Sequence, residues 1–261
     1  GTTGLTVNYA TLNLDNNAGI NDMTNRINDA APVSLSGATL AFTGRTNTAS
    51  TETLGATSLV QGVSQITSAA TTTASQVGSA DLTLTSLTRA AGGGTVNFTA
   101  SGLIGNNGRV LIPTINCIST ATVGGGLTNN LIGGWAVADG GAFATYSNTF
   151  GVVQMGMSYG SYSAPDYTGT DISATTASTG NYNDSTDRTL ATGTKAAYSM
   201  KLGNGTNAQT ITLVAGTTIS LGVGLLTNAT GTVTIDAVDA SNTITGTGTD
   251  LYVYLNQGTT V

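Results

Sequence analysis

Three pairs of aspartates are the side chains of this 261-residue chain whose type and spacing could do chemistry: Asp184 with Asp187, Asp236 with Asp239, and Asp166 with Asp171. Two carboxyl groups flanking a glycosidic bond suffice for its hydrolysis, one as acid and the other as base or nucleophile. Arg188, close to the first pair, adds the basic group that a calcium-assisted lyase of acidic polysaccharides would use beside clustered acids. Aspartates a few residues apart among Asn and Gly more commonly cap turns, and none of the three pairs forms a catalytic signature. No catalytic residue is assigned. The chain has no His and a single Cys, Cys117, so Ser-His-Asp and Cys-His arrangements are impossible and the usual zinc ligand sets have no support. Cys117 reads as a small buried hydrophobe. The glycine runs at Gly92 and Gly124 lack a following Lys-Ser/Thr pair and serve as corners, not phosphate loops. No glycine-aspartate nonapeptide series for calcium is present. The expectation is a chain that is not an enzyme and uses no metal or cofactor.

Binding chemistry is concentrated elsewhere. Five of the nine tyrosines, Tyr146, Tyr159, Tyr162, Tyr167 and Tyr182, fall in one polar stretch and form the candidate contact surface for a ligand or partner. A tyrosine presents a rigid flat face with a hydrogen-bonding tip, which suits sugar rings or another subunit; packing into a core is the competing use. Trp135, in GGWA, is expected to plug a coil. Four Asn-x-Ser/Thr sequons, at Asn97, Asn183, Asn204 and Asn228, are close to chance in a chain with 51 Thr. Seven Lys and Arg spread singly against a net charge of -6 cannot neutralise a run of phosphates, so neither nucleic acid nor an anionic membrane surface is an expected partner. No apolar stretch is long enough to span a bilayer as a helix.

The elements that would position these residues follow from composition and period. The charged fraction is 8%, about a third of the usual share, and the aliphatics are interleaved with Thr, Ser, Asn and 36 Gly. Such interleaving favours extended backbone over helix. Alternation at period two recurs at Leu5-Val7-Tyr9, Leu12-Leu14, Leu40-Phe42, Leu82-Leu84, Val96-Phe98 and Val110-Ile112. It returns at Ile211-Leu213, Ile219-Leu221-Val223, Val233-Ile235 and Leu251-Val253-Leu255. Leu82 to Val96, Val96 to Val110 and Ile219 to Val233 keep a common interval, a strand and a turn repeated in step. That regularity predicts an all-β parallel β-helix, or β-solenoid, with ladders of identical side chains along its axis; a tandem of β-sandwiches is the alternative. Ile20 to Ala31 carries helical spacing before Pro32 and is either a short helix or an irregular loop. Residues 145–187 lose the period and are expected to form a lateral loop excursion. The whole of 1–261 is read as a single solenoid domain or a repeat unit of a larger surface protein.

The stretches LTSLTRAAGGGTVNFTASGLIGNNGRVLIPT from Leu84 and LIGGWAVADGGAFATYSNTFGVV from Leu131 resemble the autotransporter-associated β-strand repeat proteins, with SLTR and GGWA the most specific parts. Flanking segments from Thr11, Thr51 and Ser199 extend the resemblance to most of the chain except roughly 155–197. Proteins of that family are large surface or secreted proteins of Gram-negative bacteria, planctomycetes and verrucomicrobia among them. The resemblance implies a right-handed parallel β-helix acting as passenger or stalk, usually without a catalytic centre.

The functional expectation is an exported structural unit of a bacterial surface fibre or adhesin, extracellular or at the cell surface. Its partner would be itself, as a homopolymer or through neighbouring repeats, and surface glycans are a second candidate partner. Self-association is expected through the end segments, at Leu5, Val7 and Tyr9 and at Leu251, Tyr252, Val253 and Tyr254, which read as full strands without caps. The alternatives are a polysaccharide-active β-helix enzyme or tailspike, and a carbohydrate-binding adhesin without turnover.

Overall fold

The computed structural model describes residues 3–17, 21–70, 78–89, 92–115, 118–119, 127–203, 205–248 and 250–255. Ile20, Cys117, Gly124 and Asn204 lie outside the described residues. What is described is almost entirely β, with one 3-10 turn at Ile172–Ala174. Parallel strands stack into a β-solenoid of about eight turns. The chain divides into two compact units, Gly1–Gly140 with Ala144–Pro165, and Gly141–Phe143 with Asp166–Val261.

In the first unit the coils alternate between two sheets. Their strands are β1 (Leu5–Asn8), β2 (Thr11–Asp15), β3 (Val33–Ser36), β4 (Thr39–Thr43), β5 (Ala49–Gln61), β6 (Val63–Ala69), β7 (Ser79–Arg89) and β8 (Thr95–Ala100). After them come β9 (Gly108–Leu111), β10 (Thr114–Ile115), β11 (Ile118–Ser119), β12 (Ala136–Ala138), β13 (Ala142–Ser147), β14 (Gly151–Gln154), β15 (Ser158–Tyr159) and β16 (Tyr162–Ser163). One sheet runs β1-β3-β5-β7-β10-β11 with β9 also on β7, and the other runs β2-β4-β6-β8-β12-β13-β14. Leu82 pairs with Val110 one coil later, while Val96 lies between them on the other sheet. The common interval in the sequence is thus half a coil, and a full one is closed by Asp81 and Arg109, 28 residues apart.

The second unit contains β17 (Asn181–Asp184), β18 (Arg188–Leu190), β19 (Gly193–Leu202), β20 (Gln209–Leu213), β21 (Thr217–Thr227), β22 (Val233–Ala237), β23 (Thr243–Gly246) and β24 (Tyr252–Leu255). They form a β17-β19-β21-β23 sheet with β24 also on β21, and a β18-β20-β22 sheet. All these pairings are parallel.

Inward aliphatics form columns because a parallel in-register stack sets each apolar side chain above the one a coil earlier. Leu40, Ile66, Phe98 and Ala138 are one such column, each fully buried. Hydroxyl ladders form on the outer faces in the same way: Ser34 with Ser58 at 3.2 Å, Thr67 with Thr99 at 2.7 Å and Thr218 with Thr243 at 3.0 Å. Residues 21–31 contain no helix; Met23 is exposed and Ile27 buried, so the irregular loop is the correct alternative. The expected excursion over 145–187 is shorter than that: the chain leaves the parallel stacking through two antiparallel hairpins, β13/β14 and β15/β16, and a segment around the 3-10 turn, and rejoins it at β17, which pairs in parallel with β19. All six residues of β13 are buried, which removes the alternation by which a half-exposed strand is recognised.

Candidate functional site

The aspartates sort by what their oxygens hold. Asp184, at the end of β17, is fully buried and accepts from the N–H of Ile172 at 3.0 Å, the N–H of Thr186 at 2.9 Å and Nε of Arg188 at 2.8 Å. Asp171 caps the 3-10 turn by accepting from the N–H of Ser173, and its other oxygen lies 3.4 Å from Nη1 of Arg188. Arg188 also donates to the Thr170 carbonyl. This clasp holds Ile172, which is buried in the second unit's core with Leu190, Met200 and Ile211. With its oxygens occupied by three donors, Asp184 leaves little room for a leaving-group oxygen. The Ser173 hydroxyl and N–H hold the Asp171 carboxyl below its ordinary 3.8, so its contribution to stability is present above that pH and lost as pH falls further. Asp187 accepts from the N–H of Thr210, Asp166 from that of Tyr167, and Asp239 from the N–H and hydroxyl of Ser241. Among the described residues no three His, Cys, Asp or Glu are grouped to hold a metal ion.

A second polar cluster pins the 21–31 loop to β5. Glu52, the one Glu, occupies an inward position and accepts from the N–H of Arg26 and of Ile27, both at 3.1 Å. Asp22 accepts from Asn16 and Ser50, each at 2.7 Å, and Arg26 donates to Asn16 and to the Asp15 carbonyl. No local motif marks this cluster in the sequence, although Glu52 falls in step with the inward-facing Ser50 and Leu54. Burial raises the Glu52 carboxyl above its ordinary 4.5, aided by Asp29, while the two N–H groups and the Arg26 charge pull it back. An acid raised on folding favours the folded state when protonated, so this contribution is complete below pH 4.5 and is lost as pH rises through the folded value. Glu52→Gln should abolish that dependence. Urea midpoints followed from pH 4.5 to neutrality should show the wild type losing stability relative to the variant, and parallel curves would refute it.

The candidate tyrosines take two roles. Tyr146 and Tyr159 are buried, and their hydroxyls accept from the N–H groups of Ile112 and Gln154, each at 3.0 Å. Tyr159, Tyr162 and Phe150 pack together with ring centroids 5.3–6.4 Å apart, as a small core for the hairpins. Burial pushes the Tyr159 hydroxyl up to about 12. Tyr162, Tyr167 and Tyr182 stay half-buried, and Tyr167 and Tyr182 lie in the other unit. Trp135 is buried, its indole over Gly133, as a plug would be.

The end segments carry the remaining candidates. β1 pairs with β3 at the end of its sheet, and β24 pairs with β21. Leu5 is half-buried, Val7 is buried, and Tyr9 is exposed over the corner glycine Gly37. Leu251, Tyr252 and Tyr254 are half-buried. Val253 continues the column of Met200 and Leu225, yet it is 49% exposed where they are 0% and 2%. Leu255 is also exposed, above the buried Thr227.

No helix among the described residues is long and apolar enough to cross a membrane. Comparison with family models, curated proteins and solved structures finds no match.

Proposed function

We propose that this chain is a non-catalytic structural segment of an exported bacterial surface fibre or adhesin, extended by stacking coil upon coil. The observation that carries the reading is the exposed apolar rung at Val253 and Leu255, of which Val253 tops the sealed column of Met200 and Leu225. A further coil laid on β24 would bury both side chains. None of β1, β2, β22, β23 or β24 contains Lys or Pro, the usual protections of a sheet edge against pairing. The consumption of Asp171, Asp184 and Arg188 in a clasp supports a structural role over glycoside cleavage. Low charge, the resemblance to autotransporter-associated β-strand repeats and the excess of Thr and Gly support the surface setting.

Light scattering across a concentration series, with negative-stain microscopy, tests the reading. The wild-type chain is expected to grow into rods or filaments, and Val253→Lys with Leu255→Lys to stay monomeric, since a desolvated ammonium on the rung opposes stacking. Wild-type particles that remain monomers throughout the series would sink it.

A further inference from the structure

We propose that the outer face of the β2-β4-β6-β8 sheet binds an ordered lattice of water, the surface of an ice crystal. The four strands pair in parallel without a register shift, so their outward side chains stand in straight columns. One column is Thr11, Thr39, Gln65 and Asn97. The next is Asn13, Ala41, Thr67 and Thr99. Rungs of a sheet lie about 4.8 Å apart, and alternate residues along a strand about 6.6 Å apart, so these groups form a rectangular grid. The grid carries hydroxyls, methyls and amides. It has no Lys, Arg, Glu or aromatic residue, and the one charge on these outward positions, Asp15, stands at the border.

The chemistry of that grid selects its ligand. It offers a solute no ion pair, ring stack or pocket, so each contact is weak and only a ligand repeating in two dimensions can sum enough of them. Ice repeats its oxygen positions at closely similar intervals along two perpendicular directions. The grid is also held in place before contact. Thr67 and Thr99 share a 2.7 Å hydrogen bond, Gln65 donates to both at 3.1 and 3.2 Å, and the β-branched threonines have few rotamers, so little entropy remains to be lost on binding. A crystalline neutral polysaccharide, the other repeating surface, repeats by whole sugar rings and is gripped through aromatic faces, which this grid lacks. The second unit builds a grid of the same kind from unrelated sequence: Thr194, Thr218 and Thr243 beside Ala196, Ser220 and Thr245.

This inference is independent of fibre formation, because the face exists on a single chain. The test is inhibition of ice recrystallisation by the full chain, together with the shape of single ice crystals grown in its presence. Wild type is expected to arrest recrystallisation and facet the crystals. Asn13→Lys with Gln65→Lys, both at exposed positions where folding tolerates Lys, should need a roughly tenfold higher concentration. Thr83→Lys, on β7 of the other sheet, should leave the effect intact. Crystals growing as in buffer alone, or equal potency of wild type and the double variant, would overturn the proposal. Retention on crystalline cellulose without any effect on ice would overturn it in favour of a polysaccharide.

Discussion

Phe98→Ala should lower the stability of the first unit by about 3–5 kcal/mol, the range for deleting a buried aromatic ring from a packed interior. Phe98 is fully buried in the column with Leu40, Ile66 and Ala138. Its register partner on β12 is the small Ala138, so on that side no long side chain can fall into the vacated volume. A solenoid rung contacts mainly the rungs above and below it, which localises the damage. Urea unfolding should show the loss as a lower midpoint at unchanged slope, and hydrogen exchange should quicken in β6 and β8 before β1. Phe98→Leu, which keeps most of the volume, should cost less than about 1.5 kcal/mol. A loss for Phe98→Ala no larger than that for Phe98→Leu would mean that the column is not the load of the fold.

Much of this architecture can be read from residue order because every coil obeys the same local rule. Leu82, Leu84, Val96, Phe98, Val110 and Ile112 alternate with polar neighbours, and all six are at most 1% exposed. Their common interval marks the half-coil, and the hydroxyl ladders follow from Thr recurring at outward positions. What escapes is whatever depends on a second face being covered. In β13 both faces are buried, so the pattern vanishes and a packed hairpin resembles a loop. Tyr146 and Tyr159 have the residue type of a contact surface, but their hydroxyls satisfy backbone N–H groups from segments whose proximity no local spacing shows. Glu52 is the converse. Its inward parity was visible, whereas the Arg26 and Ile27 N–H groups that make a buried carboxylate tolerable lie 26 and 25 residues away.

Gly108→Ala should destabilise the first unit by about 3 kcal/mol or more, through space and not backbone preference. A Cβ built on Gly108 would stand 1.9 Å from the Ser68 carbonyl oxygen and 3.0 Å from the Ala100 Cβ. The obstacle is backbone of the previous coil, and the Ser68 side chain is itself tied to the Ala80 carbonyl at 2.9 Å, so relief requires β6 and β9 to separate. Such a separation strains the Leu82–Val110 pairing and the Arg109–Asp81 ion pair in the same coil. Gly160 provides the contrast. It turns the β15/β16 hairpin with φ +61 and has nothing within 4 Å of a built Cβ, so Gly160→Ala meets only the left-handed backbone cost of about 1–2 kcal/mol. Measured side by side in urea, Gly108→Ala should unfold at the lower concentration. The reverse order would show that the coils can part by an ångström without penalty, and with it the in-register stacking would lose its claim to hold the protein together.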